Sequence, residues 1–320
     1  MSSKKEFLER VLGVYIVDKK LFWEMSIARI IISIFFVLAF VLTEVVLGVI
    51  ILKVESYAIF RIFLGFSVMI FSVRREGAVL FNFALYIFLL IISIIFIIKE
   101  KGLLYELSSH NYSGEILSVT EAFFLAFFLS IALAFIFPAV PNVQQTKSIE
   151  IVLYEAILIA PFSEELSFRL LPLLVPIIIK ELIIFREEIS HNMHWVMRFL
   201  VNGKENIDYV DWILIFCSGI YFGIAHYAFG WPFNKIYQAS LLGIFLGYMA
   251  VKRGLISSIM FHIVWNAYST SILLPMLFNL DFRTYILVSR LIAIWILIGI
   301  FAGFFVLIIA IIRLLTGRSI

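Results

Sequence analysis

Polar positions along the chain fall in short groups separated by long apolar runs, and the length of those runs, rather than any two- or four-residue period, is the dominant pattern. A helix needs about 20 apolar residues to cross a bilayer. Runs of that kind lie at roughly 26–52, 57–73, 77–98, 119–139, 149–179, 211–229, 236–251, 255–278 and 286–315. They predict an all-α fold, a polytopic transmembrane helical bundle of eight or nine membrane segments. The 57–73 run is short and contains Arg61, which predicts a half-span or an interfacial segment. The 149–179 run is interrupted by Pro161, Pro172 and Pro176. Kinks are expected there, and in a membrane they survive only where neighbouring helices or a water-filled cavity satisfy the freed backbone groups. This run is therefore predicted to be an interior helix.

From 180 to 210 the pattern changes. Leu182, Phe185, Ile189, Met193, Val196 and Leu200 recur at spacings of three or four, which is one helical face. An interfacial amphipathic connector is predicted, with Arg186, Arg198 and Lys204 placed to reach lipid headgroups and His191 and His194 off the apolar face. No repeat, low-complexity tract or linker divides the chain. The expectation is a single membrane domain over 1–320. It comprises N-terminal transmembrane helices (1–148), a catalytic helical core (149–278) that includes the 180–210 connector, and a C-terminal transmembrane helix (286–315).

Composition agrees with the pattern. The 320 residues are 63% hydrophobic and 15% charged, against about 45–50% and about 25% in soluble domains. A net charge of +3 without a dense basic run excludes nucleic acid as a partner and leaves membrane lipid. The lone cysteine, Cys217, rules out an intramolecular disulfide framework and is expected to be an inert packed thiol. Residues 1–24 carry five basic residues and precede a run too long for a signal peptide, so a cytoplasmic start to a multi-pass integral membrane protein is expected. The Ile- and Phe-rich composition points to a prokaryotic cell membrane.

Against this background a few ionisable residues stand out, because each costs roughly 2.5–3.5 kcal/mol at a bilayer centre. Glu164, Glu165 and Arg169 lie together in the fifth run. Glu165 and Arg169 are one helical turn apart and read as an ion pair. Glu164 is turned about 100° away and lacks such a partner, so it suits a general base. Of five histidines, His226 and His262 fall in apolar runs, His226 one turn after Phe222 and His262 one turn before Asn266. A single buried histidine is usually a core residue. Two on separate helices, beside an amide and a di-glutamate helix, supply a base and donors for a tetrahedral oxyanion. The His-Glu-x-x-His and Gly-x-Ser-x-Gly motifs are absent, and Asp18, Asp208, Asp211 and Asp281 all lie near segment ends, away from any mid-membrane aspartyl dyad.

At these residues the sequence resembles the CAAX prenyl endopeptidase and bacteriocin-processing (CPBP, Abi) family of intramembrane proteases. Its motifs stand here in order as Glu164-Glu165-x-x-x-Arg169, Phe222-x-x-x-His226 and His262-x-x-x-Asn266. The resemblance covers about 149–270. It implies a helical core around a conical polar cavity, with Glu164 and His226 activating water, His262 and Asn266 stabilising the oxyanion, and Glu165, Arg169 and Phe222 in support. The expected activity is hydrolysis of a peptide bond in a membrane-bound or prenylated peptide or protein substrate. The preferred mechanism requires no cofactor. The mechanistic alternative is a zinc-type metalloprotease with Glu164, His226 and His262 as ligands. An alternative of another class is a non-catalytic binding, immunity or transport protein that retains the cavity. The C-terminus, Gly317 to Ile320, lacks the cysteine of a prenylation signal.

Overall fold

The computed structural model describes residues 19–54, 57–64, 67–74, 76–99, 119–138, 148–184, 193–204, 206–278 and 280–316. The chain is an α-helical membrane bundle. Helix α1 (Lys19–Lys53) is followed by strands β1 (Tyr57–Leu64) and β2 (Ser67–Arg74), then α2 (Glu76–Lys99) and α3 (Val119–Ile136). A continuous helical stretch, α4 (149–184), leads to α5 (Met193–Asn202), α6 (Tyr209–Ala228), α7 (Lys235–Arg253) and α8 (Leu255–Thr270). A 3-10 turn and the short α9 (Leu274–Leu277) precede the long α10 (Phe282–Thr316).

Among the described residues, five stretches are long and apolar enough to cross a membrane: Ile34–Lys53, Gly77–Phe96, Val119–Ile136, Tyr209–Ala228 and Phe282–Ile312. Their outward residues stay apolar, as Leu80 (71% exposed) and Phe301 (69% exposed) illustrate. Water would not tolerate such a surface over whole helices, whereas acyl chains cover it.

The expected 57–73 segment is corrected. It is an antiparallel hairpin whose register runs from Tyr57 opposite Arg74 to Leu64 opposite Ser67. A short apolar run does not distinguish helix from strand by periodicity. Here the β-branched and aromatic residues on either side of Gly65 decide for strands. A two-stranded ribbon has open edges that lipid cannot satisfy, so this segment leaves the list of independent spans. Strand β1 runs alongside the 160–174 part of α4.

Helix α4 is interior, and its prolines sit within or beside two π-helical turns, Glu155–Ile159 and Leu166–Leu174. In the first turn the backbone bonds run five residues back, as from Ala160 N to Glu155 O. Pro161 has no N–H to continue that ladder, and the Ala156 carbonyl five residues before it accepts from Asn266 Nδ2 at 2.8 Å. Within the second turn the Phe168 carbonyl accepts from Ser218 Oγ at 2.6 Å and from Arg169 Nη1 at 3.1 Å. The defect at Pro161 thus becomes a docking point for a motif side chain, Asn266.

Helices α6 and α7 pack backbone against backbone. A methyl group added at Gly219 would stand 2.7 Å from Ile244 N, and one at Gly223 would stand 2.6 Å from Ile236 O. Small residues that permit such approach are the usual means of helix association in lipid. The contact sets His226, near the end of α6, beside Lys235, at the start of α7.

The described part of the 180–210 region is α5, which turns Phe199 into a cluster with Leu173, Leu174, Ile177, Ile215, Ala250 and Val251. Leu182 belongs to the end of α4, and Phe185, Arg186, Ile189 and His191 lie outside the described residues. Lys204 is not free for headgroups, contrary to expectation. Its Nζ lies 2.6 Å from Glu181, 2.7 Å from Asp211 and 3.2 Å from Asp208. Lys180 Nζ reaches Asp208 and Asp211 at 2.5 Å each, which completes an ionic clamp across the ends of α4, α5 and α6. Cys217 is exposed, not packed. It shares the outer face of α6 with Ile213, Phe216 and Ile220, where lipid supplies the apolar surroundings.

Candidate active site

Glu164, His226, His262 and Asn266, from α4, α6 and α8, line one cavity of about 420 Å³. Phe127 of α3, Lys235 of α7 and the aromatic rings of Phe222, Trp231 and Trp265 line it as well. The spacing of charges along α4 sorts the two glutamates. Glu165 is fully buried and its carboxylate is taken up: Arg169 Nε lies at 3.5 Å, His262 Nδ1 at 2.9 Å, and Ser258 Oγ donates to Oε2. Glu164 lines the cavity, and its one charged-capable neighbour within 4.0 Å among the described residues is His262 Nε2, at 3.6 Å. Both oxygens of Glu165 therefore have hydrogen-bond partners, whereas Glu164 has the single neighbour His262.

Arg169 is held from several sides. Nη1 donates to Phe168 O and to Ser218 Oγ (3.0 Å), and the guanidinium stands 4.9 Å from the Phe222 ring centroid. Phe222 also meets the His226 ring edge-on at 4.6 Å and the His262 ring at 5.9 Å. One aromatic side chain therefore separates the buried Arg169 from both imidazoles. This gives a physical reason for a phenylalanine one turn before His226.

The ring protons follow from the partners. His226 Nδ1 lies 2.9 Å from Phe222 O. A carbonyl only accepts, so Nδ1 carries the hydrogen and the neutral ring offers Nε2 as an acceptor. His262 bridges the two carboxylates, with Nδ1 toward Glu165 and Nε2 toward Glu164. Asn266 spends one amide N–H on Ala156 O and keeps a second.

Sequence reading missed Ser258, Ser218 and Lys235. Ser258 was findable, since it lies one turn before His262 on the same face. Ser218 was findable only by knowing which helix packs on Arg169. His110 and His191 lie outside the described residues.

The donor set can be tested for a metal. Among the described residues, the ligand atoms of Glu164, His226 and His262 do not gather within 4.8 Å of one another; the group of three that does is Glu181, Asp208 and Asp211. That group already holds the ammonium groups of Lys180 and Lys204. Neither set, as arranged, fits a zinc ion with three protein ligands.

Compared with curated proteins and with solved structures, the chain finds no significant match. Residues 147–268 match the family described as type II CAAX prenyl endopeptidase Rce1-like. That stretch begins just before α4, ends within α8, and contains all three motifs and every residue that bonds to Glu165. The region that is similar to this family is thus the one whose three motifs line a single cavity inside the membrane bundle.

Proposed function

We propose that this protein is an intramembrane endopeptidase that hydrolyses a membrane-associated, prenylated peptide or protein by activating water at Glu164. The observation that carries this reading is the division of labour between neighbouring carboxylates. Glu165 is held by Arg169, Ser258 and His262, and Glu164 faces the cavity without a lysine or arginine within 4.0 Å among the described residues.

Glu164 takes a proton from water as the oxygen attacks the scissile carbonyl carbon, and His226 Nε2 accepts a hydrogen bond from the same water. Charge then develops on the carbonyl oxygen. Asn266 offers its second N–H to it, and His262 is the second donor, through Nε2. Collapse breaks the C–N bond, and the proton held by Glu164 passes to the leaving amine. The geometry of the histidine and carboxylate donors favours metal-free chemistry.

The test uses purified full-length protein in lipid nanodiscs with a fluorogenic prenylated peptide. Wild-type protein should cleave it, Glu164→Gln should not, and both should show the same thermal melt. Binding without cleavage would favour a recognition protein instead. Exhaustive chelation with elemental analysis should leave turnover unchanged and find no stoichiometric metal. A stoichiometric ion whose removal abolishes turnover would reinstate the zinc alternative.

A further inference from the structure

The mechanism above gives no task to the ammonium group in the cavity. Lys235 opens α7 and lines the same space as Glu164, His226 and Asn266. An ammonium has three N–H donors and no acceptor, so once withdrawn from water it calls for anionic or carbonyl oxygens. Among the described residues none is within reach: no carboxylate lies within 4.0 Å of Nζ, and its recorded contact is the Trp231 ring, 5.0 Å from centroid. The opposite behaviour is seen at Lys180 and Lys204, each surrounded by carboxylate oxygens. A π face steadies a cation without consuming its donors.

Its position indicates what completes it. Trp231 is 41% exposed and its ring lies 6.1 Å from that of His226, so the ring that carries Lys235 reaches both the open rim and the proposed catalytic groups. A peptide whose end lies within a cavity of about 420 Å³ brings one anion of its own, the terminal carboxylate. We propose that Lys235 is a specificity-determining residue that binds the free C-terminal carboxylate of the substrate. This rests on the peptidase reading, and it adds a requirement that the reading alone does not make.

The probe is a fluorescently labelled farnesylated peptide ending in Cys-Val-Ile-Met, prepared as the free acid and as the C-terminal amide. Full-length protein in nanodiscs should show a KM for the acid about tenfold below that for the amide, the value of one charge-assisted contact. Lys235→Gln should raise the KM of the acid about tenfold and leave kcat and the amide unchanged, and Lys235→Arg should restore most of the preference. Equal KM values for acid and amide on the wild-type protein would overturn the proposal, and this comparison needs no variant to fold. Equal losses on both peptides in Lys235→Gln would also overturn it, by showing that the lysine serves Glu164. Should the wild-type protein cleave neither peptide, the peptidase reading fails by itself. Fluorescence anisotropy of the two peptides on the folded protein then still decides the role of Lys235, because a preference for the acid that disappears in Lys235→Gln upholds it and no preference sinks it.

Discussion

Two of the polar clusters among the described residues are built on opposite plans. At the junction of α4, α5 and α6, Lys180 and Lys204 face Glu181, Asp208 and Asp211, and each ammonium meets three carboxylates. In the cavity, Glu164, His226, Asn266 and Lys235 keep acceptors or donors unspent while the layer behind them, Glu165, Arg169, Ser258 and Ser218, is tied together. Completed pairing yields a fastener. Pairing that stops one residue short of the cavity leaves groups able to move a proton or hold an anion. Charge inside the membrane bundle is thus not by itself the mark of function here; incomplete partnership is.

The comparison breaks most sharply at its two carboxylates. Glu164→Gln should lower turnover by about 10²–10⁴-fold, the usual contribution of a general base, with unchanged folded yield. Asp211→Asn, equally polar and equally remote from lipid, should lower folded yield and leave turnover per folded molecule intact. Measuring both on one preparation, by melt and by initial rate, checks the contrast. If Asp211→Asn slows hydrolysis as much as Glu164→Gln, the two clusters are not separate.

Arg169→Ala probes the layer behind the cavity. It takes the guanidinium from the fully buried Glu165, and removing one partner of such a pair costs about 3–5 kcal/mol. The expected outcome is a strongly lowered melting temperature or loss of folded protein, which size-exclusion yield and a melt will register. A smaller effect is expected at Pro161. Pro161→Ala supplies an N–H that competes with Asn266 Nδ2 for the Ala156 carbonyl. Turnover should fall by about tenfold or less, the cost of one loosened hydrogen bond, while stability holds or rises. An unchanged rate would mean that Asn266 is positioned by something else.

These contrasts also mark what the sequence could convey. The Glu165–Arg169 pair was legible because helical spacing alone places the two on one face. The isolation of Glu164 was legible for the same reason. Meeting of α4, α6 and α8 at one cavity was implied only by the accumulation of costly residues in apolar runs. Local spacing could not reveal that His262 stands between the glutamates, because Glu165 and His262 are 97 positions apart. Nor could it reveal that Lys204 is enclosed by acids, since those acids arrive from two other elements. The hairpin at 57–74 was missed because apolarity, which identifies a membrane segment, does not encode whether backbone bonds close within a segment or between two. Proline was the most under-read signal. Pro161 predicted a kink, but its consequence is that the Ala156 carbonyl is left for Asn266.

The smallest expected effect concerns the clamp and pH, and it sharpens the same contrast. Burial would raise the Asp208 carboxyl, but hydrogen bonds from Lys180, from the Asp211 backbone N–H and from Lys204 outweigh it and hold the group well below the usual carboxylate range. Burial would lower Lys204, and hydrogen bonds to Asp211, Glu181 and Asp208 outweigh that and hold it above the usual lysine range. A depressed carboxyl contributes stability that is present above its unfolded value, about 3.9, and is lost as pH falls through the lowered folded value. A raised lysine contributes stability that is fully present below about 10.4 and is lost as pH rises through the raised folded value. The clamp should therefore be flat across neutral pH and fade at both extremes. Asp208→Asn tests the acid side, because asparagine keeps the N-cap bond that Asp208 Oδ1 accepts from Asp211 N at 3.0 Å while removing the charge. Asp208 is 49% exposed, so the screened contribution should be about 0–1 kcal/mol. The melting-temperature gap between wild type and variant should stay constant from about pH 5 to pH 9 and close as pH drops below about 4. A gap that instead changes around neutrality, in step with the hydrolysis rate, would tie the clamp to the cavity and end the separation between fastener and active site.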